Sequence, residues 1–367
     1  MSETAIRIPV DTLQSFMTDV FIALRVPPED ARITSEILIT SDLFGIESHG
    51  IGRLKVYYSR LKAGTQEPVT RLEIVKDTPT TAVVDGGLGL GQVVGYRSMR
   101  MAMEKARRYG LGAVAVRNSG HFGIAGYYPL MATREGMVGM SFTNARPSIA
   151  PTFGVQPKLG TNPIAFGAPT DEPFPFLYDG ATSITQRGKI EVLDRAEKPT
   201  PAGWIINQDG TPATDSGQIL KDLVKGTAAL LPLGGAGEEM GGHKGYGLAT
   251  IVEILSAAFQ GGLFLGALVD QDAAGKPQPL RLGHFFLAMD VEHFVPLEQF
   301  KKTTGDIMRE LRAARKAPGQ ERIYTAGEKE YYNAQRLRAE GVPVNANLQK
   351  DLKAMQQELG LSQYNLG

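Results

Sequence analysis

Residues 83–95 read VVDGGLGLGQVVG. A β-branched run leads into Gly89, Gly91 and Gly95 and then into the helical stretch GYRSMRMAMEKARRYG (95–110), which is the order of a dinucleotide-binding turn. The spacing, however, is G-x-G-x-x-x-G. The next strand signal, AVAVRN (113–118), ends in Arg117 and Asn118, where a ribose-binding carboxylate would stand. An arginine there would suit a 2′-phosphate, but the favoured reading is a glycine-rich strand-to-helix turn needed for close packing. A mixed α/β body is therefore expected, without a Rossmann site at this turn.

Upstream, apolar residues recur at helical spacing in LQSFMTDVFIAL (13–24) and ARITSEILITSDLF (31–44), on either side of Pro27 and Pro28. A further helix carries Leu54, Tyr57, Tyr58 and Leu61 on one face, and Gly64 just after Lys62 suits a left-handed cap. Strand signals begin with EIVKDTPTTAVVDG (73–86) and return in MVGMSFTN (137–144), NPIAFGAP (162–169), PFLYDGAT (175–182) and FFLAMD (285–290). GYGLATIVEILSAAF (245–259) reads as a long helix with Leu248, Ile251, Leu255 and Phe259 along one side. From Leu297 the chain turns helical again. The expected organisation is a helical domain of residues 1–72 plus 297–367 and an inserted α/β domain of residues 73–296, because each helical part alone has too little apolar surface for its own core.

The 39 basic and 39 acidic residues leave no net charge to attract phosphate polymers or an anionic membrane, and no basic run is interleaved with aromatics, so nucleic acid is not an expected partner. There is no cysteine, which excludes disulfides, thiolate catalysis and cysteine-bound zinc. The first residues carry no basic segment ahead of an apolar block, and nowhere do about 18 apolar residues run together. A soluble, cytoplasmic protein is expected. The five histidines, at 49, 121, 243, 284 and 293, show no metal-binding spacing, so no metal is expected.

GIESHGIGRL (45–54) sets His49 at the mouth of a helix with Arg53 four residues on. Imidazole exchanges a proton near neutral pH and guanidinium grips a carboxylate with two parallel hydrogen bonds, so the pair suits a small hydroxy acid. Taken alone, such a pair is more often a solvated surface pair. VRNSGHFGIAGYY (116–128) places His121 in a strand-to-helix loop between Gly120 and Gly123, where backbone N–H groups at the helix start favour a phosphate or a carboxamide oxygen. His243 and Lys244 open the long helix without a feature that would lower the lysine pKa, and core or rim positions are expected for His284 and His293.

Taken together, SDLFGIESHGIGRL, VRNSGHFGIAGYY, LGTNPIAFGAP, DGATS, GHKGYGL and AGEKE, in this order from Ser41 to Glu330, resemble the type-2 malate/L-lactate dehydrogenase family. The resemblance implies an α/β fold of α+β type, in which a non-Rossmann cofactor-binding mixed sheet is inserted between N- and C-terminal helical segments. It implies NAD or NADP as cofactor, hydride transfer to or from a 2-hydroxy acid, and a homodimer. By position it assigns His49 as proton donor and acceptor with Ser48 as its orienter, and His121 as a second catalytic histidine. It assigns substrate contacts to Arg53, Thr161, Arg187 and Gly188; Arg146 is the candidate cation for the second carboxylate of a dicarboxylate. Cofactor contacts fall on His121, Phe122, Gly123, Ile124, Ala125, Asp179, Gly180, Ala181, Gly327 and Glu328. Lys189 stands after the Arg187-Gly188 pair where imine-reducing members carry an aspartate, which weakens an imine-reductase reading. Malate is the leading substrate. Lactate, sulfolactate, ureidoglycolate, keto-gulonate or a cyclic imine are alternatives, and a non-catalytic small-molecule binding protein is the reading from another class.

Overall fold

The computed structural model describes residues 6–367; the first five, part of the stretch read above for a leader and of the expected helical domain, lie outside the described residues. β1 (Ile6–Ile8) leads into α1 (Val10–Ala23), α2 (Pro28–Leu43) and, after a turn-rich loop, α3 (Leu54–Lys62). α2 is the buried axis of this part: between Asp30 and Leu43 only Arg32 and Glu36 escape burial. Its threonines tolerate the apolar surroundings because Thr34 and Thr40 donate to the carbonyls of Asp30 and Glu36, at 2.8 and 2.7 Å. Buried Asp30 is paired with Arg97 at 2.6 Å.

β2 (Glu73–Asp77) and β3 (Thr81–Asp85) form a hairpin, α4 (Gly91–Tyr109) crosses over, and β4 (Leu111–Ser119) returns parallel to β3. α4 ends where Gly110 takes φ +84°, a left-handed cap. α5 (Tyr127–Arg134) connects to β5 (Met137–Thr143), followed by β6 (Ile164–Ala168) and β7 (Phe176–Gly180) as successive antiparallel neighbours. The chain then builds a small lobe from α6 (Arg187–Arg195), β8 (Ile205–Asn207), α7 (Ser216–Lys225) and β9 (Ala228–Leu230). β8 pairs with β9 over a cluster that includes Ile149, Leu159, Ile190, Ile205, Ile219 and Leu230. α8 (Gly242–Ala257) follows, and β10 (Leu282–Asp290) slots between β4 and β5. The resulting order is β2-β3-β4-β10-β5-β6-β7, mixed because β3–β4 is parallel and every other pairing antiparallel. This is the mixed, non-Rossmann sheet that the family resemblance implied.

α9 (Leu297–Ala313), α10 (Glu328–Glu340), β11 (Val342–Val344) and α11 (Ala346–Leu359) complete the chain. β11 pairs antiparallel with β1, α10 packs on α2 and α11 on α1. α9 lies at another edge, where Leu297 and Phe300 pack with Val138, Ala168 and Val291, and where Arg309 and Arg312 hold Asp171 and Glu172. One apolar core runs from Phe16 and Ile37 through Val94 to Val114 and Phe286, so the helices and the sheet share a single interior. α8 departs from the simple amphipathic expectation. Its Ala249, Val252 and Ser256 face inward, whereas Leu248, Ile251, Ile254 and the following Phe259 are exposed, at 38, 51, 53 and 62%. The apolar stripe read from the sequence is turned outward.

Candidate functional site

Three hydrogen bonds involving side chains pin the loop after α2. The Ser41 hydroxyl donates to the Ile46 carbonyl at 2.8 Å, the Ile51 N–H donates to Asp42 Oδ2 at 2.7 Å, and Arg53 Nε–H donates to the Ser48 carbonyl at 2.6 Å. Gly50 is required by contact: a Cβ there would fall 1.9 Å from Asp42 Oδ1. Asp42 is 2% exposed with one backbone donor, and burial pushes its carboxyl up to about 8. Since the folded value lies above the ordinary 3.8, the folded state holds an extra proton between about pH 4 and pH 8. Stability is then expected to fall as pH rises through that window, by up to about 1.4 kcal/mol per pH unit from this group. Asp42→Asn removes that part of the decline; urea midpoints from pH 4 to 8 that fall in parallel for both proteins contradict it.

The pinned loop presents His49. Ser48 Oγ lies 2.8 Å from His49 Nδ1, so a ring that donates Nδ1–H to the hydroxyl keeps a lone pair on Nε2. Burial and then the charge of Arg53 lower the His49 pKa to about 4. The His121 ring stacks beside it, with centroids 5.4 Å apart and planes at 29°. Tyr57 Oη is 2.7 Å from His121 Nδ1, and the Gly123 N–H points at the same nitrogen at 3.4 Å. Burial raises the Tyr57 hydroxyl to about 12 and holds His121 well below 6.5. Both are neutral; Nδ1 accepts and the ring proton of His121 sits on Nε2. The site thus offers a neutral base, a neutral donor and the guanidinium of Arg53, whose Nη groups have no partner among the described residues.

Arg53, which caps α3 in a helical conformation, Tyr57 and Arg60 fall at i, i+4 and i+7, which puts all three on one side of the helix. Tyr57 was read in the sequence only as part of an apolar face, and Arg60 and Asp42 were not singled out. That spacing was the available signal for Arg60. Asp42 carried no signal, because its role depends on contact with Gly50 and Ile51.

Other candidates take varied positions. A Cβ at Gly188 would stand 4.0 Å from Ser48 Cβ, so the start of α6 lies against the loop, while the Arg187 guanidinium is donated to Glu191 at 2.9 Å. Gly160 packs on the Ala145 carbonyl, bringing Thr161 beside the Arg146 segment; Arg146 donates to Asp270 at 2.7 Å. Phe122, Ile124 and Ala125 are buried, with Phe122 stacked on His284 at 4.4 Å, so they can meet a ligand only through backbone. Gly123, at φ +85°, makes the segment's left-handed turn. The Gly126 N–H donates to Asp179 Oδ2 at 2.7 Å, and burial raises Asp179 to about 6. Gly180 and Ala181 follow it at the end of β7. Gly327 takes φ +91° against Pro175, and the fully buried Glu328 carboxylate is bound by Arg322 and the Thr325 N–H. His284 sits in the core between Thr143 and Ser119, both at 2.8 Å; His243 and Lys244 are exposed; His293 lies 3.6 Å from Asp290.

The glycine-rich turn is closed by the protein itself. A Cβ at Gly89 would strike Thr70 at 2.7 Å, one at Gly91 the Gly120 carbonyl at 2.3 Å, and one at Gly95 the Tyr128 ring at 2.7 Å. Arg117 and Asn118 both donate to Asp85, at 2.9 and 2.8 Å. These glycines are accounted for by packing, and Arg117 and Asn118 by Asp85. Elsewhere, Ser148 Oγ, Asn162 Oδ1 and Thr185 Oγ1 are buried without a partner among the described residues. They lie on or next to the Thr161 and Asp179–Ala181 segments, joined through Ser148 N–H to Leu159 O and Thr182 N–H to Thr161 O. Unpartnered hydroxyls and a carbonyl fit the ribose hydroxyls and carboxamide of a dinucleotide.

Comparison with known proteins gives a consistent picture. The family model described as malate/L-lactate dehydrogenase matches residues 8–353. The chain is 43% identical over 361 residues to a malate dehydrogenase of Pyrococcus horikoshii, covering 98% of each. It is 39% identical over 349 residues to an L-sulfolactate dehydrogenase of Methanocaldococcus jannaschii, covering 95% of this chain and 96% of the relative. A crystal structure of malate dehydrogenase from Entamoeba histolytica superposes with a TM-score of 0.94 at 44% identity, covering 97% of this chain and 99% of that one.

Proposed function

This chain belongs to the malate/L-lactate dehydrogenase family, and from that premise we propose that it is an NAD(P)-dependent 2-hydroxy acid dehydrogenase acting on malate, with His49 as base, Arg53 as carboxylate clamp and His121 as second donor. The observation that carries the reading is the meeting of His49, His121, Tyr57 and Arg53 at one site, although their loops are some 70 residues apart in sequence. In oxidation, His49 Nε2 takes the hydroxyl proton while Arg53 holds the C1 carboxylate and so orients the C2–H bond. The nicotinamide supplies the hydride acceptor. Ser48 steadies the imidazolium through Nδ1, and the Nε2–H of His121, fixed by Tyr57, donates to the substrate oxygen. In reduction His49 must carry a proton, and a substrate carboxylate on Arg53 cancels part of the charge that depresses its pKa.

Gly188, against Ser48, would border the substrate; Thr161 and Arg146 would line its other side, with Arg187 at the rim. The backbone from His121 to Ala125, the turn at Asp179–Ala181 and the backbone of Gly327 and Glu328 would hold the cofactor. The test is reduction of a panel of 2-oxo acids followed by the absorbance of reduced nicotinamide. Oxaloacetate is expected to be reduced, whereas cofactor binding without turnover of any acid favours a non-catalytic binding protein.

A homodimer is part of the proposal, and the outer face of α8 supports it. Leu248, Ile251, Ile254 and Phe259 on and just after α8, with Leu263 and Phe264 at 40 and 58% exposure soon after, are large apolar side chains left open to water within one short segment, and an exposed apolar face of this kind marks interaction surfaces. Sedimentation equilibrium is expected to give a dimer that Ile251→Asp dissociates; a monomeric parent protein contradicts this. Among the described residues no helix is long and apolar enough to cross a membrane, and a cytoplasmic location accords with the absence of cysteine.

A further inference from the structure

The function proposed above leaves open how a dianionic substrate is told from a monoanionic one. From Arg53, at the cap of α3, to Arg60 the chain rises about 10 Å, with Tyr57 between them on the same side. Arg53 therefore lies on one side of the Tyr57–His121 contact and Arg60 on the other. The Arg60 side chain is 22% exposed. Among the described residues its guanidinium makes no hydrogen bond and one long ion pair, Nη2 to Asp270 Oδ2 at 3.7 Å. A mostly buried guanidinium with open donors is costly unless a ligand completes it. Arg146, 60% exposed, already spends its contact on the other oxygen of Asp270, at 2.7 Å. Arg60 and Arg146 thus share the single carboxylate of Asp270, while the charge of Arg53 also acts on Arg60; against that one carboxylate the three guanidiniums leave an excess of two positive charges, which matches a dianion.

We infer that Arg60 receives the distal anionic group, a carboxylate or sulfonate, of a dianionic 2-hydroxy acid, while Asp270 anchors Arg146 and neutralises Arg60 until substrate arrives. This inference rests on the dehydrogenase reading and deepens it, moving the distal cation from Arg146 to Arg60. Desolvation also lowers the pKa of Arg60, as expected for a guanidinium held away from water.

The experiment compares oxaloacetate with pyruvate in the wild type, Arg60→Gln, Arg60→Lys and Asp270→Asn. Arg60→Gln is expected to lower kcat/KM for oxaloacetate by about 10²-fold, chiefly through KM, and to change pyruvate by less than about threefold. Arg60→Lys, which keeps the charge, falls between the two, and Asp270→Asn lowers the KM for oxaloacetate because the resident counter-ion is gone. An unchanged ratio of the two substrates in both Arg60 variants overturns the inference and leaves the dehydrogenase reading standing. If Arg60→Gln does not fold, Arg60→Lys with Asp270→Asn decides in the same way. A wild type inactive on both acids overturns the dehydrogenase reading and this inference with it.

Discussion

His49→Ala is expected to lower kcat for 2-hydroxy acid oxidation by about 10²- to 10⁴-fold, the usual worth of a general base, with the affinity for the dinucleotide little changed. On the proposed roles the loss falls on kcat, because the imidazole would act on the proton that leaves in the transition state while Arg53 would hold the carboxylate. The wild-type pH profile carries a second signature. With its pKa lowered to about 4 by burial and by Arg53, His49 is neutral at every pH above that value. The acid limb of kcat/KM for oxidation should therefore lie near pH 4, since this limb reports the free enzyme, and should vanish in the variant. Full turnover in His49→Ala, or a limb near 6.5 that the variant retains, assigns the base elsewhere.

Arg53→Lys is expected to raise KM by roughly 10²-fold for monoanionic and dianionic acids alike, because an ammonium cannot reproduce the two parallel bonds of a guanidinium. This common effect separates Arg53 from Arg60, whose loss is expected to be felt by dianions alone. The substitution also deletes the 2.6 Å bond from Nε to the Ser48 carbonyl, which holds the turn that presents His49. A smaller fall in kcat should accompany the rise in KM. Steady-state kinetics with lactate and malate measure both, and an unchanged KM for both acids removes Arg53 from the carboxylate.

What the sequence disclosed depended on how local each signal was. His49 and Arg53 were legible because glycines bracket them within ten residues and imidazole and guanidinium have few roles in common. The failed fingerprint at residues 83–95 was legible too, and the contacts of Gly89 and Gly91 with Thr70 and Gly120 give its reason: these glycines serve close packing. Tyr57 was hidden because a phenol on an apolar helix face looks like core until its partner, His121, is brought 2.7 Å away by the sheet. The central place of β10 follows from pairings of Phe286 with Val114 and Ser141, far away in sequence, which no local pattern encodes. The small lobe escaped notice because β8 and β9 are three residues each. α8 misled in the other direction: its periodicity was real, but periodicity does not say whether an apolar stripe meets the protein's own core or another surface.

The most direct test is a crystal structure of the protein with oxidised nicotinamide dinucleotide and malate or oxalate. The account predicts a carboxylate held by two nitrogens of Arg53, with the oxygen at the reacting carbon within hydrogen-bond reach of both His49 Nε2 and His121 Nε2, beside the nicotinamide ring. An acid bound away from residues 49 and 53, or a nicotinamide too far from them to exchange a hydride with it, contradicts the account.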